Sequence, residues 1–573
     1  MYKANNTMRP VLRSAAALIA LAVATPALAT TPQPSTLSLL EAMVAHGVIS
    51  QDKADEILAD ARARDAARAD EGADGADGGA IPPLPEGARR VVYVPEIVKQ
   101  ELREEIKQEV LAEAERDNWA APNTHPEWAE RVSVFGDVRA RYERVEFPAG
   151  NVTGVSPDFD AINGGDGARL VAASGYLLDQ FTPELNVDED RARVRIRARL
   201  GVDTTLGSGF SAGVRLASGS SNSPVSTNQS LGASGGNFSK YEIWLDRAFI
   251  NWDAVAVERG GLGFTVGRFA NPFFATDLLW DVDLGFDGVA AMGRYQVADG
   301  LTPFLTAGAF PVFNGDFNFS SYRTDKTPNA NKWLYAVQGG TAWTPADDLE
   351  LTLAAAYYHF DGVQGRLSSP CQDAFSADGS CDTDETRPSF AQKGNSYMAL
   401  RDLSPITDLG ILDAYQYYGL AADFRQLAVT AGLNYTGLGP LSLRVKGEFV
   451  KNLAFDEADV AARAVNNFGG GDSFQGGDIG YLGRATLGSR QFAGLWDWYA
   501  GVTYRYLESD AAVDAFTDSD FGLGGTNLKG FIVDGGLMLA ANVWASARWM
   551  TADNIDAIPF SVDVFQANLS ARF

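Results

Sequence analysis

RARVRIRARLG, Arg191–Gly201, places a guanidinium at every second position: Arg191, Arg193, Arg195, Arg197 and Arg199. Ala192, Val194, Ile196 and Ala198 fill the gaps. In a helix, steps of two residues turn by about 200°, so the arginines would scatter around the axis. In a strand all five share one face, and Ala192, Val194, Ile196, Ala198, Leu200 and Val202 share the other. The spacing predicts a strand with one charged face and one apolar face.

The same alternation recurs along the chain. Val134, Val138, Ala140 and Tyr142 oppose Asp137, Arg139, Arg141 and Glu143. Leu441, Leu443, Val445 and Phe449 oppose Ser442, Arg444, Lys446 and Glu448. Trp498, Ala500, Val502, Tyr504 and Tyr506 oppose Asp497, Thr503 and Arg505, and the chain ends with Phe565, Ala567, Leu569, Ala571 and Phe573 opposing Gln566, Asn568, Ser570 and Arg572. Between strands, short turns (204–209, 297–300, 344–348, 436–440, 540–542) alternate with long polar segments (144–190, 217–240, 312–331, 361–413, 453–478, 509–526). That rhythm predicts an all-β membrane protein, an antiparallel transmembrane β-barrel of about 16 strands over residues 130–573 with both ends periplasmic. Residues 241–252 need a bulge, and 414–436 reads as one long strand or two.

A soluble β-sandwich also alternates. Here the apolar faces are rich in Ala and Gly, and Trp252, Trp333, Trp343, Trp496, Trp498 and Trp549 fall near strand ends, as interfacial girdles do. An arginine on the lipid face near the bilayer midplane costs roughly 2–4 kcal/mol. Several on one strand exceed a whole folding free energy of about 5–15 kcal/mol. The arginines are therefore expected to face a water-filled lumen.

The N-terminal part has a different texture. Residues 1–29 read as a secretory signal, with Lys3, Arg9 and Arg13 ahead of an apolar run and Ala27-Leu28-Ala29 at the cleavage site. Residues 30–68 read as a periplasmic helix-turn-helix broken at Gly47, and 69–90 as a flexible acidic, Pro-ended linker. In 91–118, Val98, Leu102, Ile106 and Val110 form one stripe of an amphipathic helix. The stripe suits either a coiled coil, and so a homo-oligomer, or packing against the chain's own barrel.

A formal net charge of −26 argues against nucleic acid as a partner. Cys371 and Cys381, the only cysteines, are expected to form one disulfide in an oxidising compartment; two free thiols are the alternative. His46, His125 and His359 match no metal spacing, and no Ser/His/acid set is evident, so neither an enzyme, a metal site nor a cofactor is expected. Asp158, Asp160, Asp166, Asp472, Asp478, Asp518 and Asp520 read as solvated surface of outer loops, where divalent ions could bridge to lipopolysaccharide.

Two segments, VYVPEIVKQELREEIKQEVLAEAERDNWAAPNTHPEWAERVSVFGDVRARYERV (92–145) and VGRFANPFFATDLLWDVDLGFDGVA (266–290), resemble the Putative porin family of Gram-negative bacteria. With the leader, the barrel pattern and the terminal Phe573, the resemblance covers most of the chain from about residue 91. It implies a channel in the cell outer membrane, embedded in lipid, with Phe573 as the signal read by the barrel assembly machinery. It implies no substrate and no catalytic residue. A trimer is expected by the same analogy.

Adjacent arginines on one strand face lie about 6.6 Å apart, inside the ~8 Å Debye length. They need counter-charges, for which Asp137, Glu143, Glu448, Asp497 and Asp534 are candidates. Arg139, Arg141, Arg191, Arg193, Arg195, Arg197, Arg199, Arg215, Arg444 and Lys446 are expected to line the pore, with further cations from Arg247, Arg294, Arg484 and Arg548. The connection at 269–288 is too apolar for an exposed loop and carries Asp277, Asp281, Asp283 and Asp287. It is expected to fold inward as a constriction loop, its carboxylates facing the ladder, similar to general-diffusion porins. The expected function is passive diffusion of small hydrophilic solutes with some anion preference. The alternatives are a substrate-selective anion channel, for phosphate for instance, and an envelope tether with a closed barrel braced by the arginines.

Overall fold

The computed structural model describes residue 59 and residues 127–573, apart from 174–175, 180–181, 234, 316–329, 409–412 and 470–472. The chain divides into Met1–Glu105 and Ile106–Phe573, and the barrel belongs to the second unit. The leader at 1–29, the helix-turn-helix at 30–68, the linker at 69–90 and the helix at 91–118 lie outside the described residues, residue 59 excepted.

Sixteen antiparallel strands follow one another around a closed barrel. They are β1 Val132–Glu146, β2 Arg191–Gly207, β3 Phe210–Ser218, β4 Ile243–Val257, β5 Gly260–Ala270, β6 Gly285–Tyr295, β7 Leu301–Phe313 and β8 Lys332–Ala346. Then come β9 Leu349–Asp361, β10 Arg425–Leu438, β11 Leu441–Asn452, β12 Ile479–Ser489, β13 Trp498–Leu507, β14 Leu528–Ala540, β15 Val543–Asn554 and β16 Ser561–Arg572. Each strand pairs with its sequence neighbours, and β16 returns to β1 in the register Asp137↔Arg572 to Glu146↔Asp563. No sheet edge is left open, the condition for a sheet to sit in lipid. At the seam, Gly136 and Phe573 exchange two backbone hydrogen bonds of 3.0 Å. Only glycine fits there: a Cβ at Gly136 would lie 2.5 Å from the Arg199 carbonyl oxygen and 2.6 Å from the Phe573 ring.

Short turns join the strands at the end where β1 begins and β16 ends. The turn at Ser208-Gly209 follows Gly207 at φ +90°, a conformation glycine adopts without cost. At the opposite end lie the long loops. They include L1 (147–190), L2 (219–242), L3 (271–284), L5 (362–424) and L7 (508–527). The segment 414–436 resolves into two short loop strands, Asp413–Gln416 and Tyr418–Leu420, followed by β10.

Outside, the apolar faces form a continuous belt. Val134 is 60% exposed and Leu200 50%, while their inward neighbours Arg141 and Arg195 are buried. Stacked rings mark both rims: Phe210, Trp252 and Phe264 towards the turns, Trp333, Tyr335 and His359 towards the loops.

β4 carries two bulges where sequence reading expected one. Asp246 is skipped between Arg215↔Arg247 and Leu216↔Leu245, and Ala254 between Asp253↔Gly263 and Val255↔Leu262. Outward residues are Ile243 and Leu245 before the first bulge, Ile250 and Trp252 between, and Val255 and Val257 after the second. Parity reverses once and is restored.

The loop-side half of the interior is packed rather than empty. Phe159 and Ile162 of L1, Val225 of L2, Phe273, Leu278, Leu279 and Trp280 of L3, Tyr397 and Phe424 of L5, and Val513 of L7 form one buried cluster. Against it pack inward residues near the loop ends of strands, among them Phe310, Tyr358, Val450 and Leu507. Burying a large apolar side chain stabilises by about 1.5–3 kcal/mol, so these loops are held in the barrel mouth by the force that builds a soluble core.

Candidate functional site: the arginine wall and the loops that face it

The register of β1 on β2 sets the electrostatics. Asp137 stands opposite Arg199 and Glu143 opposite Arg193, but Arg139 stands opposite Arg197 and Arg141 opposite Arg195. Two like-charge pairs are thus enclosed by two opposite-charge pairs. Like charges directly opposite across a sheet repel, so compensation must come from elsewhere. Glu143 accepts from Arg193 Nε at 2.6 Å and from Gln566 Nε2 at 3.0 Å, and lies 3.5 Å from Arg195. Asp137 accepts from Arg197 Nε at 2.9 Å and Arg199 Nε at 2.6 Å. Arg191, first in the strand, is exposed.

L3 crosses the interior from β5. Its start is pinned to the far wall: Phe274 exchanges backbone hydrogen bonds with the Gln338 amide at 2.8 and 2.9 Å. Thr276 donates through N and Oγ1 to Glu448, and Lys446 Nζ donates to the Ala275 carbonyl. Leu278, Leu279 and Trp280 are then buried, and Asp283 comes out against β2. Asp283 lies 3.4 Å from Arg199 Nη1 and 3.8 Å from Arg197 Nη1, and it accepts from Thr227 of L2.

The four L3-region aspartates have different places. Asp283 meets the ladder. Asp277 lies 3.8 Å from Arg548 on β15. Asp281 accepts from the backbone N–H of Ser519 and of Asp283. Burial, with Asp518 and Asp283 nearby, holds its carboxyl well above the usual carboxylate range. Asp287 belongs to β6 and pairs with Arg268 at 2.6 Å. Packing decides this: the loop spends residues 274–280 on the wall and the core, so only its last residues reach β2.

L7 supplies what sequence reading assigned to solvent. Asp520 accepts from Arg141 Nη1 at 2.9 and 3.0 Å and lies 3.7 Å from Arg548. Asp518 lies 3.6 Å from Arg548 and 3.8 Å from Arg505. Both are inside the barrel because L5 clasps L7. Asn395 Nδ2 donates to the carbonyls of Ser509 and Ala512, and its Oδ1 accepts from Asp514 N at 2.7 Å. Gln392 donates to the carbonyls of Asp514 and Thr517, and Ser396 holds the Asp510 carboxylate. Tyr397 Oη donates to Asp514 Oδ2 at 2.9 Å. Lys393 Nζ donates to the carbonyls of Gly522 and Gly524. Burial pushes Asp510 up to about 6 and Asp514 up to about 7, and lowers Lys393 to about 7. L5 is braced in turn by buried Arg401, which grips Asp384 at 2.9 and 2.7 Å, and by a Cys371–Cys381 disulfide. The signal was in the sequence: Val513, Phe516, Phe521 and Leu523 give L7 apolar anchors, as Phe273, Leu278 and Trp280 give L3.

The remaining cations vary in their pairing. Arg215 bonds Asp246, the bulge residue, which the bulge turns inward beside Arg247. Arg484 donates to Asp534 at 2.8 Å. Lys446 lies 4.6 Å from the Phe274 ring centre, and Arg444, near the turn end of β11, is exposed. Asp497 is not a lumenal counter-charge; it sits in the β12–β13 turn and accepts from the N–H groups of Ala493 and Gly494.

These groups enclose a cavity of 270 Å³. Arg139, Arg141, Arg197, Arg484 and Arg548 of the wall face Asp277, Asp281, Asp283, Asp518 and Asp520 of the loops, and Asp534 stands beside Arg484. Two further cavities, of 560 and 410 Å³, adjoin it through Asp283 and Ser519 respectively. Among the described residues no group of His, Cys, Asp and Glu could hold a metal ion.

No curated protein matches the chain. Solved structures similar to it include Salmonella typhi OmpF in complex with daunomycin (10% identity, covering 77% of this chain and 97% of that one, TM-score 0.35). The outer membrane channel DcaP of Acinetobacter baumannii (10%, 77% and 97%, TM-score 0.34) and Pseudomonas putida OprB (11%, 78% and 95%, TM-score 0.38) are others. At these identities and scores the likeness carries no argument. The family evidence does: the Putative porin family matches residues 33–573, nearly the whole chain. The chain therefore belongs to the Putative porin family, a β-barrel channel of the outer membrane.

Proposed function

We propose that the barrel passes small hydrophilic solutes by passive diffusion, that the inward arginines line the path, and that anions are favoured. The observation that carries this reading is the opposition within the 270 Å³ cavity, where arginines of the wall face carboxylates of L3 and L7. Fixed charges of opposite sign across a narrow passage create a transverse field, which aligns polar solutes and disfavours apolar ones. Along β1 to β4 the inward arginines outnumber Asp137, Glu143, Asp203, Asp246 and Asp253, and this excess supports the anion preference.

The test is reversal potential in asymmetric KCl, with the protein in a planar bilayer. A chloride preference is expected, and it should fall on joint substitution Arg195→Gln and Arg197→Gln. Clear cation selectivity of the unaltered protein overturns the anion part, and an unchanged value in the double variant removes the ladder from the mechanism. The Val98–Val110 stripe supports assembly as a trimer, which mass measurement in detergent would check.

A further inference from the structure

Arg139 differs from the other arginines around the cavity. Arg141 bonds Asp520, Arg197 bonds Asp137, Arg484 bonds Asp534, and Arg548 stands within 4.0 Å of Asp277, Asp518 and Asp520. Among the described residues Arg139 has no carboxylate within that distance. Its one hydrogen bond runs from Nη2 to Oδ1 of Asn228, at 2.5 Å, and its buried Nε has no partner. Register puts Arg197 directly opposite, and Arg141 is two residues along the same strand. A guanidinium is always charged; this one is bonded only to a neutral amide, with Arg141 and Arg197 close by and the nearest carboxylates, Asp520 and Asp283, acting on it from beyond 4.0 Å.

Resting on the channel reading above, we propose that Arg139 is the head of a binding site for a small oxyanion within the 270 Å³ charged cavity of the lumen. The missing counter-charge is the solute. Guanidinium donors form a planar fork that two oxygens of a carboxylate or phosphate can satisfy together, whereas chloride supplies charge without that geometry. Asn228 fixes the fork: its Nδ2 donates to Ser226 Oγ and its carbonyl accepts from Arg195, so L2 orients the group. On the adjoining wall the Ser546 hydroxyl, which accepts from Asn568, has its own hydrogen to give. The field of L3 and L7 carboxylates keeps occupancy weak, as conduction requires.

The experiment measures single-channel chloride current of the full-length protein while potassium phosphate, or in a second arm potassium acetate, is titrated in. The current is expected to fall saturably with at least one of the two. Saturation by both marks a general oxyanion site, and saturation by one names its geometry. Arg139→Gln should raise the half-effect concentration at least tenfold, and Arg144→Gln, on the outward face of β1 and paired with Glu146, should leave it unchanged. Arg139→Lys keeps the charge without the fork, so it should retain chloride selectivity yet lose most of the block. No saturation in the unaltered channel, or an unchanged half-effect in either Arg139 variant, overturns the proposal. Folding of each variant is verified by heat-modifiable gel migration. Failure of the broader reading is separate: it would appear as cation selectivity of the unaltered protein.

Discussion

Asp520→Asn tests the part of the constriction that comes from L7. Asparagine keeps the shape and one acceptor for Arg141, which retains Glu143 at 3.7 Å, so the barrel should remain folded. The substitution adds one unit of positive charge to the cavity. An ion passing about 5 Å from that site gains or loses about 0.8 kcal/mol at the dielectric of water. Screening at ~0.1 M salt reduces this to roughly 0.5 kcal/mol. Cation and anion move in opposite directions, so the chloride-to-potassium permeability ratio should rise by on the order of fivefold, since 1.4 kcal/mol is about tenfold. Reversal potential in a KCl gradient reads the ratio directly. An unchanged or lowered ratio in a folded barrel would refute the placement of L7 in the path.

The clasp between L5 and L7 predicts a pH dependence. Asp510 and Asp514, raised to about 6 and 7, contribute stability that is complete below about 4 and is lost as pH rises to about 7. Lys393, lowered to about 7, contributes stability present above about 10.5 and lost as pH falls to about 7. L7 should therefore be least protected from hydrogen exchange near neutral pH, and Asp514→Asn should remove most of the change between pH 6 and 7; equal protection in both proteins across that range contradicts the buried acid. Replacing Cys371 and Cys381 with serine opens a ten-residue separation, a loss of about 2–3 kcal/mol, and should speed tryptic cleavage at Arg366, Lys393 and Arg401 while leaving the barrel strands intact. Gly136→Val drives a side chain into the Arg199 carbonyl and the Phe573 ring, an overpacking of about 1–3 kcal/mol or more. Refolding into detergent micelles should then yield less heat-modifiable barrel, and full yield would show that the seam tolerates bulk.

The barrel was legible because each strand declares its faces by a period of two, and Arg193, Arg195 and Arg197 can declare nothing else. L3 was legible for the opposite reason: Phe273, Leu278 and Trp280 are out of place in a loop. The interior of the mouth was less so. Whether Asp281 meets an arginine or the backbone of Ser519 depends on loops far apart in the sequence, and no local pattern carries that. Asp520 is hidden from a local reading because an acidic loop residue ordinarily faces solvent, and only its apolar neighbours Phe516, Phe521 and Leu523 mark the segment as carried inward. The unpaired state of Arg139 follows from cross-strand register, which alternation alone leaves open.

The two bulges of β4 also limit how such a wall can change. A binary pattern behaves as a reading frame of two, and Asp246 and Ala254 act as a frameshift and its suppressor. Leu245 and Arg247 already face consecutive residues of β3, so deleting Asp246 would close its bulge and leave Arg247 inward and Ile250 outward, whereas deleting a regularly paired residue such as Ala248 would reverse the faces beyond it unless a bulge is gained or lost nearby. A single-residue insertion or deletion in these strands is therefore tolerated where a bulge takes up or gives back the extra residue, and a family that varies its lumen can do so by moving the points at which the phase slips.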